Sequence, residues 1–189
     1  LEPSGVVLVA ILGGVLLLAG AGGFRLWWSG RAGLHRYDPI IREAAARHHV
    51  SPFLVKGVIM TESGFRPAAR GDKGEMGLMQ ITRGAVTDWE RETGQRCRCN
   101  GMLFDPRLNI EIGTWYIGKA VTAWSKHRDG EVLALAQYNA GAGKARDWAP
   151  ADPRDGVELD RIRFASTREY IRRVIHHWQV FESEHAKSK

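Results

Sequence analysis

The chain predicts an all-α fold, and three observations carry that prediction. Asp38-Pro39, Ser51-Pro52 and Asp105-Pro106 each set a capping side chain before a proline. The cap accepts a free N–H, and the proline ring suits the first helical turn. Apolar residues then recur at intervals of three and four, and no stretch alternates apolar with polar as a half-buried strand would. Glycines stand just past several periodic stretches, where helices stop.

The first element is an apolar run. Gly5 to Phe24 gives 20 residues without a charge, and a helix of that length spans about 30 Å of hydrocarbon. Trp27 and Trp28 follow, with Arg25 and Arg31 beside them, as in an interfacial belt. The run reads as an uncleaved membrane anchor. A cleaved signal peptide is the competing reading, with Ala19-Gly20-Ala21 as its small-residue site. Residues 1–28 are therefore expected to be a transmembrane or signal-anchor segment, 29–36 a linker, and 37–185 the folded domain.

Within that domain, Asp38 opens a helix to about His48. Ser51 opens a second, whose Phe53, Leu54, Val55, Val58 and Ile59 are apolar, and Gly64 ends it after Ser63. Residues 70–77 form a loop with Gly71, Gly74 and Gly77. A helix from about Thr82 to Glu92 stops at Gly94. Asp105 caps a long helix with Leu108, Ile112, Trp115 and Tyr116 at helical spacing. Glu131 to Tyr138 is apolar enough to be buried on most sides. Residues 149–165 read as irregular, and Ser166 with Glu169 fits a capping box for a last helix to about Ser183.

Composition sets outer limits. The 189 residues hold 27 Lys and Arg against 21 Asp and Glu, for a net charge of +6, with 44% hydrophobic and 25% charged residues. That excludes general disorder. Two cysteines exclude a disulfide scaffold and a thiolate zinc site. Cys97 and Cys99 are one residue apart and make either a small strained disulfide or a free dithiol. His48-His49 and His176-His177 are adjacent pairs on different helix faces, so no metal clasp is expected. Nothing in the sequence asks for a cofactor. The positive excess suits an anionic polymer, but no nucleic-acid module accompanies it.

Glu62 is the residue that asks for chemistry. A Glu at a helix end is ordinarily a solvated surface group. Here it follows an apolar helix, faces the negative end of the helix dipole, and has Met60 and Phe65 nearby to exclude water. Both effects raise its pKa, and a carboxyl kept protonated near neutrality is what a general acid for glycoside cleavage requires. Ser63 beside it lacks the partners of a serine triad; it reads as a group that orients the carboxyl or caps backbone. Asp72 and Glu75 read as solvated loop charges rather than a second catalytic acid. The Trp residues at 89, 115, 124, 148 and 178 read mostly as core, with Trp148, in an irregular region after the Tyr138-Asn139 motif, the candidate for stacking on a sugar.

Four segments in order change the weight of these residues: Glu62-Ser63-Gly64-Phe65, Gly74-Glu75-Met76-Gly77-Leu78-Met79-Gln80, Tyr138-Asn139-Ala140-Gly141, and Thr167-Arg168-Glu169-Tyr170. Together with Asp105-Pro106, Asn109 and Gly113, they resemble the family 1 (Slt-like) lytic transglycosylases over about residues 38–181. The resemblance implies a lysozyme-like helical domain that cuts the β-1,4 MurNAc–GlcNAc bond of peptidoglycan. It implies Glu62 as the single catalytic acid/base, with Leu78, Met79 and Gln80 brought to the cleft and Gln80 bonding sugar. Tyr138 and Asn139 would line the subsite near the cut, and Tyr170 would hydrogen-bond and position Glu62.

Two departures stand out. A serine often found nine positions after the catalytic Glu is Gly71 here, and Ile162-Arg163-Phe164 replaces a more usual Ile-Pro-Phe. The alternatives are a goose-type muramidase that adds water to the same bond, and a wall-binding module that no longer cuts. Arg25, Arg31 and Arg36 after the apolar run would by the positive-inside rule keep the domain in the cytoplasm. Wall chemistry demands the periplasmic or extracytoplasmic side, and that is the expectation adopted.

Overall fold

A computed structural model describes residues 33–188. The apolar run from 5 to 24, and with it the expected anchor, lies outside the described residues, as does the first half of the expected linker. No helix among the described residues is long and apolar enough to cross a membrane.

From Pro39 onward the residues pack as one compact unit of helices. In order these are α1 (Asp38–Arg47), α2 (Pro52–Ser63), α3 (Arg83–Thr93), α4 (Pro106–Ala123), α5 (Gly130–Ala140), α6 (Ala142–Trp148) and α7 (Ala165–Lys187). Short 3-10 turns lie at Asn100–Phe104 and Leu159–Arg161. β structure among the described residues is confined to isolated bridges, Arg70 to Met76 and Met76 to Ile81.

The caps explain several of these boundaries. Ser51 Oγ accepts the N–H groups of Phe53 and Leu54 at 3.3 and 3.4 Å. Asp105 accepts that of Leu108 at 3.0 Å, and Thr82 that of Ala85 at 3.2 Å. Each satisfies a donor the first turn leaves without an intrahelical partner.

The core sits where α4 and α5 meet the other helices. Ile110, Ile112 and Ile117 of α4 and Leu133 and Leu135 of α5 are fully buried, as are Val86 of α3, Val58 and Ile59 of α2, and Ile171 and Val174 of α7. Burying a side chain of that size stabilises the fold by about 1.5–3 kcal/mol. The most extensive helix pairing is between α2 and α7. It is close because Gly57 has no side chain: a Cβ there would lie 2.9 Å from the Val174 carbonyl and 3.1 Å from the Trp178 nitrogen.

Three expectations are corrected. The stretch after Gly141 forms the helix α6, and Trp148 is its last residue, not part of an irregular segment. Trp148 is 5% exposed and packs edge-on against Phe164 at 5.3 Å, so it offers no face to a sugar. The capping box at Ser166 is absent, because α7 starts at Ala165 with Phe164 before it and no side-chain cap; it also runs to Lys187, past Ser183. Cys97 and Cys99 are free thiols. Burial pushes the Cys97 thiol up, and the group donates to the Cys99 carbonyl at 3.4 Å.

Candidate active site

Glu62 lies in the last turn of α2. Gly64 ends the helix in the left-handed conformation, φ 58°, with its N–H on the Met60 carbonyl at 3.1 Å. Cβ sterics disfavour that conformation in other residues. The stop leaves Glu62 half-buried at the mouth of a cleft. Its pKa is pushed from 4.5 to about 7. Burial is the largest cause, and the Glu75 charge adds to it, while Tyr170 and Arg173 oppose it. Desolvation favours the neutral acid because water no longer solvates the carboxylate.

The groups around Glu62 come from three elements. Tyr170, on α7, is buried with its hydroxyl close enough to Glu62 to stabilise the carboxylate, though short of regular hydrogen-bond geometry. Arg173, one turn further on, donates to the Thr61 carbonyl at 2.9 Å and sets a positive charge near the acid. Tyr138, on α5, donates its hydroxyl to the Met79 carbonyl at 2.8 Å, and its ring meets Tyr116 edge-on at 6.0 Å. Burial, then the neighbouring Glu62, push the Tyr138 and Tyr170 hydroxyls well above their ordinary range, so both stay protonated.

The segment Gly77-Leu78-Met79-Gln80 is a tight turn. Paired bonds between Met76 and Ile81, at 3.1 and 2.9 Å, close it. Gly77, at φ 78°, has no room for a Cβ, which would run into Asn109 and the Leu103 carbonyl. Asn109 is fully buried and pins the turn to α4. Its Oδ1 accepts the Met79 N–H at 2.8 Å, and its Nδ2 donates to the Met76 and Leu103 carbonyls at 2.8 Å each. Gln80 is held at φ 48° with its amide on the Gly77 carbonyl at 2.8 Å. A left-handed non-glycine of this kind costs about 1–2 kcal/mol and persists only where its surroundings impose it.

Glu62, Gln80, Tyr138 and Asn139 thus line one open cleft of about 340 Å³, with Asp72, Lys73 and Glu75 on its loop side. Asn139 is exposed and accepts from the buried Thr167 hydroxyl at 2.8 Å, so its amide NH₂ is the end it presents. Leu78 and Met79 are fully buried. Their side chains pack into the core and do not reach the cleft; what they bring to the site is backbone. The buried Ser63 likewise does not orient the acid. It donates to the Leu78 carbonyl at 2.8 Å and the Ile59 carbonyl at 3.2 Å, which ties α2 to the turn.

Arg173 stands outside the expectations drawn from the sequence, and Thr167 and Asn109 are named there without a task. Arg173 was legible in principle, since it follows Tyr170 by three residues on the same helix face.

A helical domain that presents one half-buried acid at a helix end, over a polar cleft walled by a glycine-rich turn, is of the lysozyme-like class. The chain belongs to the transglycosylase SLT domain family, whose model matches residues 39–158. It is 33% identical over 121 residues to membrane-bound lytic murein transglycosylase C of Yersinia pestis (strain Pestoides F), covering 58% of this chain and 32% of the relative. The protein of that name from Yersinia pseudotuberculosis (serotype O:1b, strain IP 31758) gives the same figures. Among solved structures, the 70-kDa soluble lytic transglycosylase of Escherichia coli superimposes with a TM-score of 0.69 at 27% identity, over 77% of this chain and 24% of that one. A complex of the 70-kDa soluble lytic transglycosylase with bulgecin A gives 0.72 at 26%, over 79% and 24%. The chain therefore spans about a third of these curated relatives and a quarter of the solved chains.

Proposed function

We propose that the protein is a lytic transglycosylase that cuts the β-1,4 MurNAc–GlcNAc bond of peptidoglycan without adding water, with Glu62 as its one acid/base. The observation that carries this reading is Glu62 itself, half-buried at the cleft with a pKa of about 7. At neutral pH such a group holds its proton about half the time, so it can act first as acid and then as base. The protonated acid gives its proton to the bridging oxygen as the bond breaks, and the MurNAc N-acetyl group steadies the cation. The carboxylate then takes the proton of the C6 hydroxyl, whose oxygen closes a 1,6-anhydro ring. Tyr170 and Arg173 support the second half, because both stabilise the carboxylate. Gln80 and Asn139 supply polar contacts to the sugars, and Tyr138 holds the Met79 carbonyl in place.

The likeness to proteins named lytic transglycosylases supports the reaction class, and the likeness to Yersinia proteins named membrane-bound supports attachment through residues 5–24. The domain then works on the extracytoplasmic side. A C-terminal fusion to a reporter active only outside the cytoplasm tests this; a silent reporter refutes the orientation.

The test of chemistry is product mass. Purified peptidoglycan is incubated with the protein and the released muropeptides are weighed. Ends lighter by one water support anhydro-ring closure, reducing ends refute it in favour of hydrolysis, and no release at all refutes an enzyme.

A further inference from the structure

Gly71 leaves a notch in the cleft wall, and Glu75 fills it. A Cβ built on Gly71 would collide with Glu75 Oε2, and would lie 2.9 Å from Gln80 Oε1 and 3.0 Å from the Glu75 Cβ. Gly71 is not in the left-handed region, so its backbone would accept a side chain; the notch is taken, not forbidden. Glu75 is also held there. Its Oε2 accepts the Lys73 N–H at 2.9 Å, and the Gly71 N–H closes the loop onto the Glu75 carbonyl at 2.8 Å. It is half-buried, whereas its charged neighbours Asp72 and Lys73 are exposed.

We propose that Glu75 is a substrate-binding carboxylate, which uses the volume vacated at position 71 to offer an acceptor to a hydroxyl or acetamido N–H of the sugar lying against Glu62. The proposal rests on the transglycosylase reading. A carboxylate is an acceptor only, with room for about four hydrogen bonds, and the Lys73 N–H takes one of them. Thr167 occupies the Asn139 oxygen and Tyr138 the Met79 carbonyl, whereas Gln80, whose amide nitrogen is held by Gly77, turns its Oε1 toward the same notch as a neutral acceptor beside the charged one. Each sugar hydroxyl and acetamido N–H supplies one donor that such an acceptor can take. Two carboxylates on one cleft also interact: the charged groups facing Glu62 are Glu75 from the loop and Arg173 from α7, with the neutral Tyr170 and Tyr138 from α7 and α5. Losing the Glu75 charge removes a repulsion that Arg173 only partly offsets.

The experiment uses the full chain in detergent with purified peptidoglycan, comparing wild type, Glu75→Gln, Glu75→Ala, Gly71→Ser, and Gly71→Ser combined with Glu75→Ala. Thermal melts verify folding, and the near-isosteric Glu75→Gln carries the test if Glu75→Ala fails to fold. Losing a charged hydrogen bond lowers kcat/KM by roughly 10- to 100-fold, mainly through KM. In both Glu75 variants the high-pH limb of kcat/KM moves to lower pH, because Glu62 gives up its proton sooner. Gly71→Ser alone reproduces the loss by pushing Glu75 out, and adds no further loss when Glu75 is already Ala. An unchanged KM with an unmoved limb in Glu75→Gln overturns the proposal, as does a neutral Gly71→Ser. Those outcomes differ from failure of the transglycosylase reading, in which wild type itself releases no anhydro product.

Discussion

In the proposed reaction the raised pKa of Glu62 is a chemical advantage, and for folding it is a stability penalty; one substitution separates them. Its folded pKa of about 7 lies above its ordinary 4.5. Below about 4.5 it is neutral whether the chain is folded or not, and stability is unaffected. As pH rises from 4.5 through 7 the unfolded chain releases the proton first, so folding loses stability across that window. For a half-buried group the loss is about 1–3 kcal/mol. Glu62→Gln is expected to lower muropeptide release by at least 10²-fold while raising Tm at pH 8 and leaving it unchanged at pH 4. Melting curves at the two pH values together with the release assay check this. Tyr170→Phe should act in the opposite sense to loss of Glu75. Tyr170 holds the Glu62 pKa down, so its removal moves the high-pH limb of kcat/KM upward. Stability should change by less than about 1 kcal/mol, because the hydroxyl has no full hydrogen bond to lose.

At the scale of elements, the site depends on the tie between α4 and the Gly77–Gln80 turn. Asn109→Ala removes the acceptor of the Met79 N–H and a donor from each of the Met76 and Leu103 carbonyls, of which Met76 keeps the Ile81 N–H. It is expected to destabilise by about 3 kcal/mol or more and to reduce activity beyond what unfolding explains, measured by urea titration and by assay well below the transition. Gly113→Ala attacks the same turn from the other side, since its Cβ would press into the Met79 side chain, with that residue's Cβ 2.8 Å away. Overpacking of this type costs about 1–3 kcal/mol. The helices were the legible part of the sequence. Ser51, Thr82 and Asp105 announce their starts, and Gly64 and Gly94 their stops, because capping is local chemistry. Where boundaries were misplaced, tertiary packing decided. The segment Ala142–Trp148 follows a glycine and contains another, so nothing local marks it. Ser166 has the residue spacing of a capping box, yet α7 has already begun at Ala165. The fate of Leu78 and Met79 was equally out of reach, because their burial is set by helices distant in sequence, Asn109 on α4 among them.

For the whole molecule, charge governs how it meets its proposed substrate. Residues 25–189 carry all 27 Lys and Arg and 20 of the 21 acidic groups. Attraction to the acidic groups of wall polymer is screened by salt, the Debye length falling from about 30 Å at 0.01 M to about 3 Å at 1 M. Cosedimentation with purified sacculi should therefore weaken steadily across that range, and binding that ignores salt would place recognition in the cleft alone. The apolar run ahead of the domain makes a separate prediction. Full-length protein should remain in the membrane fraction after a high-salt wash, where electrostatic adhesion is lost, and leave it only with detergent.

The pairing of α2 with α7 has a consequence for timing. Glu62 sits on one of these helices and Tyr170 and Arg173 on the other, and Arg173 reaches across to the Thr61 carbonyl over 112 residues of sequence. A ribosome that has just finished the proposed acid must add more than a hundred residues before the groups that tune it exist. Until then Gly57 has no helix to nestle against, and Glu62 lacks the two groups that hold its pKa down.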